Sequence, residues 1–197
     1  MHPMTKMSGL SAEDVFVPYL ISSVASRFTV QAFAGGLLAA LGHNPVIAIQ
    51  DFSGEIRLHE EIAKSSVGIS ISAASLMVTT EMSAKDRTEI DRIMHEQVLE
   101  SERYPEIKYD CDRISASKTE DGQYWVALNG ELTMHGTTRS LPISARALVS
   151  GETLKAFGTF SILQSDYGIA PVSVGAGTLK VKDELKFSFD IVGKRQE

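Results

Sequence analysis

Few folds accommodate the stretch YWVALNGELTMHGTTRSLPISARALV, Tyr124 to Val149. Val126, Leu128, Gly130, Leu132 and Met134 fall on one face at a period of two, and Trp125, Asn129, Glu131 and Thr133 on the other. A polar turn at His135-Gly136-Thr137 interrupts the pattern. It resumes with Leu141, Ile143, Ala145, Ala147 and Val149 on one side and Ser140, Ser144 and Arg146 on the other. Alternation on both sides of a glycine-containing turn predicts an antiparallel hairpin with one buried face. Each arm has about ten residues and would span roughly 33 Å, against the usual five or six residues of a strand. A face that long and apolar must pack against something equally long.

The rest of the chain supplies it. Phe28, Val30 and Ala32 alternate with Arg27, Thr29 and Gln31 in a first strand over Ser26–Ala34. A second runs from Val46 to Leu58, but its phase slips between Ile47/Ile49 and Phe52/Gly54/Ile56/Leu58, which predicts a bulge near Asp51. Val67, Ile69, Ile71 and Ala73 line a third, and Ile107, Tyr109 and Cys111 open a fourth that runs to about Ala116. The hairpin is the fifth and sixth. Leu154 to Ile162 and Leu185 to Ile191 alternate in the seventh and eighth. One amphipathic helix is predicted from Ala84 to Ser101, with Ser83 as N-cap, an apolar stripe of Ile90, Ile93, Met94 and Val98, and a stop at Pro105.

Eight antiparallel strands with one apolar face each make an all-β barrel or a sandwich. Eight strands close around side chains or one small ligand. Several inward positions are small: Ala32, Gly54, Ala73, Gly130, Ala145, Ala147, Ala156 and Gly158. They either relieve crowding or leave a tubular cavity.

Charge and cysteine usage exclude several classes. Lys and Arg number 19 against 25 Asp and Glu, a net charge of −6, so nucleic acid and anionic membrane surfaces are poor partners. The single cysteine, Cys111, cannot form an internal disulfide and fits a reducing compartment. No apolar run approaches the roughly 20 residues of a membrane-spanning helix, so no transmembrane anchor is expected. Met1–Ser23 lacks the compact apolar core of a signal peptide, because Glu13, Asp14 and Pro18 interrupt it. Residues 1–25 are therefore expected to be a partly ordered or helical lead-in, and 26–197 one barrel domain.

Five segments carry a family resemblance: SRFTV (Ser26–Val30), DFSGEI (Asp51–Ile56), LESERYPEIKY (Leu99–Tyr109), ELTMHGTTR (Glu131–Arg139) and FSILQSDYGI (Phe160–Ile169). In this order they resemble the YceI-like family from about Ser26 to Ile191. The resemblance implies an extended eight-stranded antiparallel β-barrel, lipocalin-like in architecture. It also implies a long apolar ligand: a polyisoprenoid, an isoprenoid quinone precursor or a fatty amide. The chain departs from the family at Leu41-Gly42-His43-Asn44-Pro45, where a Lys-His-x-Gly pattern is usual. Many members carry a secretion signal; the reading of Met1–Ser23 favours a cytoplasmic branch as the expectation for this chain. Homodimers are compatible with such barrels, and no segment marks an interface.

The expected chemistry is burial. A methylene moved from water into an apolar tube gains about 0.8 kcal/mol, offset in part by the cost of ordering the ligand. The candidate wall is Val30, Ile69, Ile71, Tyr109, Leu128, Leu132, Phe160, Phe187 and Phe189, although ordinary core packing is the simpler role for any single one of them. His43, beside a turn-forming Asn-Pro, is added as a ligand contact at a barrel end. The five histidines show no metal-ligand spacing, and no catalytic motif, metal site or cofactor site is predicted. Three readings follow: a non-enzymatic binder of a fatty-acid-like or isoprenoid lipid, a small enzyme using His43 or His135 at the barrel mouth, and an interaction module whose barrel is filled by its own side chains.

Overall fold

The structure is a computed structural model, and it describes residues 15–35, 44–174 and 179–196. The predicted hairpin forms as β9 (Gln123–Met134) and β10 (Thr137–Ser150), paired in register from Gln123 with Leu148 to Met134 with Thr137. Its turn is two residues long. His135 has φ 51° and Gly136 has φ 72°, so both adopt the left-handed conformation that matches hairpin twist. A side chain at Gly136 would also meet the Tyr104 ring, 2.8 Å from its Cβ position.

The remaining strands are β1 (Phe16–Ile21), β2 (Arg27–Gly35), β3 (Val46–Ile49), β4 (Phe52–His59), β5 (Ser66–Ser72), β6 (Leu76–Val78), β7 (Glu106–Cys111), β8 (Ile114–Glu120), β11 (Thr153–Leu163), β12 (Ser173–Val174) and β13 (Leu179–Arg195). The ring runs β1-β4-β5-β7-β9-β10-β11-β13 and returns to β1, an eight-stranded closed antiparallel barrel. β13 is long enough to serve twice. Its end at Gly193–Arg195 pairs with β1, and Lys180–Asp190 pairs with β2, which continues through β3 to β6.

Three of the expected strands turn corners, and all three use one device. Ile49 and Phe52, Ala73 and Leu76, and Cys111 and Ile114 are buried pairs three residues apart. A straight strand would point such a pair to opposite faces, so the chain bends to bury both. The slip near Asp51 is therefore a break between two strands with different partners, not a bulge. β3 pairs with β2 and β6, whereas β4 pairs with β1 and β5. Likewise the expected fourth strand divides, and β9 pairs with β7 through Glu131–Thr133 and with β8 through Gln123–Leu128.

The lead-in expected over residues 1–25 contributes a strand rather than a helix. In β1, Tyr19 and Ile21 are buried and Leu20 faces out. Pro18 is tolerated because pairing with β13 starts only at Tyr19, so no ladder donor is needed from residue 18 on that side.

The helix α1 spans Ala84–Ile93, and Ser83 Oγ caps it by accepting from Asp86 N at 3.1 Å. The predicted span to Ser101 is interrupted by a wide turn, Met94–Val98, closed by Leu99 N donating to Met94 O at 2.8 Å. This widening turns both Val98 and Leu99 inward. The helix also covers the edge of β6. Val78 N donates to Asp91 Oδ1 at 3.1 Å, and His95 Nε2 donates to Leu76 O at 2.9 Å. A covered edge cannot recruit a foreign strand. Asp91→Ala should lower the unfolding free energy by about 1–2 kcal/mol in urea titration, the usual cost of stranding a backbone donor. Among the described residues, no helix is long and apolar enough to cross a membrane.

Candidate ligand-binding site

Inward faces of the barrel enclose a cavity of about 440 Å³. It reaches from Tyr124, Val149 and Leu154 at one end to Val172, Val181 and Thr80 at the other. Those limits lie roughly 40 Å apart along β13, about 30 Å along the axis of a barrel whose strands tilt by about 40°. No Asp, Glu, Lys, Arg or His lines it among the described residues. The polar groups on the wall are Ser65, Thr80, Tyr109, Tyr124 and Gln164.

Cross-strand rows build the wall. Tyr124, Ala147, Ala156 and Ile191 form one row, and Val126, Ala145, Gly158, Phe189 and Phe28 the next. Phe160, Phe187, Val30 and Ile47 form a third, much bulkier one. Here Phe160 and Phe187 stack with centroids 4.8 Å apart, while Phe28 meets Phe187 and Phe189 edge-on. Aromatic edge-to-face and offset pairs add about 0.5–1.5 kcal/mol each beyond burial, which holds this belt rigid.

The small inward residues divide into two groups. Alanines make room: Ala32, Ala145, Ala147 and Ala156 all lie on the cavity wall. Glycines relieve crowding instead. A Cβ at Gly130 would sit 2.6 Å from Tyr109 Oη, one at Gly158 would sit 2.9 Å from the Phe189 ring, and one at Gly54 would sit 2.4 Å from Gly68 O. Ala73 is buried at a corner and is not on the wall.

Of the residues expected at the site, Val30, Ile69, Tyr109, Leu128, Leu132, Phe160, Phe187 and Phe189 line the cavity. Ile71 does not. It is buried between its cross-strand neighbours Phe52 and Ile107. His43 lies outside the described residues. His135 is held away from the cavity, with its ring 4.3 Å from that of Tyr104 and Nε2 3.4 Å from Glu100 Oε1. Arg139 donates from Nε to the Asp166 carbonyl at 3.0 Å.

Sequence reading missed the helix residues Ile90 and Met94, the small Ala34 and Ala116, and Gln164. Gln164 follows β11, where it begins a short turn that ends at Gly168 with φ 71°. It is only 3 % exposed, and Nε2 donates to Lys182 O at 2.9 Å and to Asp183 O at 3.4 Å. Those carbonyls belong to an irregularity in β13, where register with β2 shifts between Val181 and Leu185. Ser165 fixes the same point, donating from N to Asp183 Oδ1 at 2.8 Å and from Oγ to Asp183 Oδ2.

Tyr109 spans Gly130 and donates from Oη to Leu141 O at 3.2 Å. Burial, reinforced by the neighbouring Cys111 thiol, pushes its phenol well above the ordinary value. Burial raises that of Tyr167 as well. A raised folded-state pKa means stability that is intact below the unfolded tyrosine value of about 10 and is lost as pH rises beyond it. Thermal melts followed by circular dichroism should hold steady from pH 7 to 9.5 and fall steeply above about pH 10.5.

A closed antiparallel barrel wrapped around a long, uncharged, apolar interior defines a lipocalin-like class of protein. Within that class, the YceI-like domain model matches residues 22–193, and the chain belongs to the YceI-like family. BcnA of Burkholderia cenocepacia is similar in structure, with TM-score 0.66 and 18 % identity over 87 % of this chain and 98 % of its own. A polyisoprenoid binding domain from Saccharophagus degradans gives TM-score 0.65 and 12 % identity over 90 % and 98 %. The YceI protein of Campylobacter jejuni gives 0.56 and 16 % over 77 % and 85 %. At such identities these likenesses speak for the fold. No curated protein sequence matches the chain significantly.

Proposed function

We propose that this protein binds and sequesters or carries a long apolar lipid, a polyisoprenoid, isoprenoid quinone or fatty-acid-like chain, without transforming it. The observation that carries the reading is the cavity itself: about 440 Å³, continuous along the barrel, with a wall almost wholly of aliphatic and aromatic carbon. An interior filled by its own side chains would have no such space, so the filled-barrel reading loses its basis. The description of the Saccharophagus degradans neighbour as polyisoprenoid-binding supports the same class of ligand.

The enzyme reading has little support. Acid–base work needs a titratable group near neutrality within reach of the substrate. His135 is outside the cavity, and the described titratable groups on its wall are Tyr109 and Tyr124. Native mass spectrometry of protein purified without detergent should show a lipid adduct, or uptake of added prenyl compounds. A bare chain that takes up none of them would refute the proposal.

A further inference from the structure

We infer that the buried end of the ligand is neutral, carries a hydroxyl, and donates it to Gln164 Oε1. This rests on the lipid-binding reading and narrows it. The first observation concerns charge. With no Lys, Arg or His on the described wall, a phosphate, diphosphate or carboxylate drawn inside would meet no cation. A buried anion without a partner is strongly disfavoured, so the described wall does not favour a charged head group.

The second observation is the geometry of Gln164. Its amide faces two backbone carbonyls, Lys182 O and Asp183 O, at 2.9 and 3.4 Å. Both are acceptors, so the nitrogen must be the atom turned toward them, and the amide orientation is fixed. The oxygen is thereby left over. No described residue donates to it, and it is not a sealed atom, since His95 Nδ1 is the one side-chain polar atom among the described residues that is both sealed and unpartnered. Gln164 lines the cavity, so its Oε1 is an acceptor without a described donor on a wall that is otherwise nearly all carbon. Buried acceptors are normally satisfied, and a ligand hydroxyl satisfies this one.

The third observation is position. Gln164 lies at the end of the cavity near Val181, opposite the alanine rows of Ala147 and Ala156. A ligand held by its hydroxyl at Gln164 runs its tail toward those rows. A free alcohol, a phenol or a hydroquinone offers the required chemistry; an ether or a hydrocarbon does not.

The test compares three ligands with one twenty-carbon chain: geranylgeraniol, its methyl ether and its diphosphate, titrated by calorimetry into the full-length protein. The alcohol should bind at least tenfold more tightly than the ether or the diphosphate. In Gln164→Leu the alcohol should weaken to the level of the ether, while the ether changes less than twofold. A diphosphate that binds as well as the alcohol overturns the inference, as does an alcohol preference that survives in Gln164→Leu. Should that variant fail to fold, the alcohol-to-ether ratio in the unaltered protein decides, and equal affinities refute the role of Oε1. If none of the three binds, the lipid-binding reading itself falls. That result differs from binding without a hydroxyl preference, which removes only this inference.

Discussion

Ala156→Phe should weaken lipid binding by about a hundredfold while leaving the barrel folded. Ala156 pairs with Ala147 on one side and Ile191 on the other, on a wall that borders open space. A benzyl ring placed there projects into the cavity rather than into packed core, so the overpacking cost of about 1–3 kcal/mol for a filled site is largely avoided. It takes the place of a ligand segment of about four methylenes. At about 0.8 kcal/mol each, that loss is ~3 kcal/mol, or a little over a hundredfold in Kd. Titration of a prenyl alcohol should register the loss, and Tm should move by no more than a few degrees. Undiminished binding would mean that the ligand does not pass the alanine rows.

Gly130→Ala should do the reverse, unfolding the barrel more readily without narrowing the cavity. The added methyl would sit 2.6 Å from both Tyr109 Oη and Asp110 O. The backbone atom cannot yield cheaply. Displacing the tyrosine breaks its hydrogen bond to Leu141 O and leaves a buried phenol without an acceptor. Overpacking and the stranded hydroxyl together should cost about 2–5 kcal/mol, read from the urea midpoint at unchanged slope. A shift below about 0.5 kcal/mol would show that Tyr109 has another resting place, within the ordinary range for a tolerant surface site.

Much of this architecture was legible in the sequence, because a barrel wall is written at a period of two. The long hairpin, the inward set from Val30 to Phe189 and the capped helix all follow from alternation or from a single capping serine. Three kinds of feature were not legible. Corners were hidden, since an apolar pair three residues apart, as at Ile49/Phe52 or Cys111/Ile114, also reads as a bulge or as part of a helix. β1 was hidden because only Tyr19 and Ile21 alternate around Leu20, and Pro18 looks like a breaker. The two roles of small residues were hidden as well. Gly130 and Gly158 look like vacancies in the sequence, yet Tyr109 and Phe189 lean over them from neighbouring strands. Only three-dimensional register shows that Ala147 and Ala156 face open space.

The resemblance motifs also gain physical meaning. Tyr104 of the LESERYPEIKY segment stacks on His135 in the ELTMHGTTR turn, and Glu100 reaches the same imidazole. The two segments jointly shape one barrel end. FSILQSDYGI supplies Gln164 and Ser165, which hold the irregular part of β13, and Tyr167, which is fully packed. The histidine singled out as a candidate base is thus a turn residue. The glutamine passed over in the sequence is one of the polar residues on the cavity wall.

A crystal structure of protein purified without detergent is the most direct test. Continuous tubular electron density should fill the barrel between Tyr124 and Val181, ending in a polar atom within hydrogen-bond distance of Gln164. Density for discrete waters along that path, or side chains collapsed to close it, would contradict a lipid-holding interior.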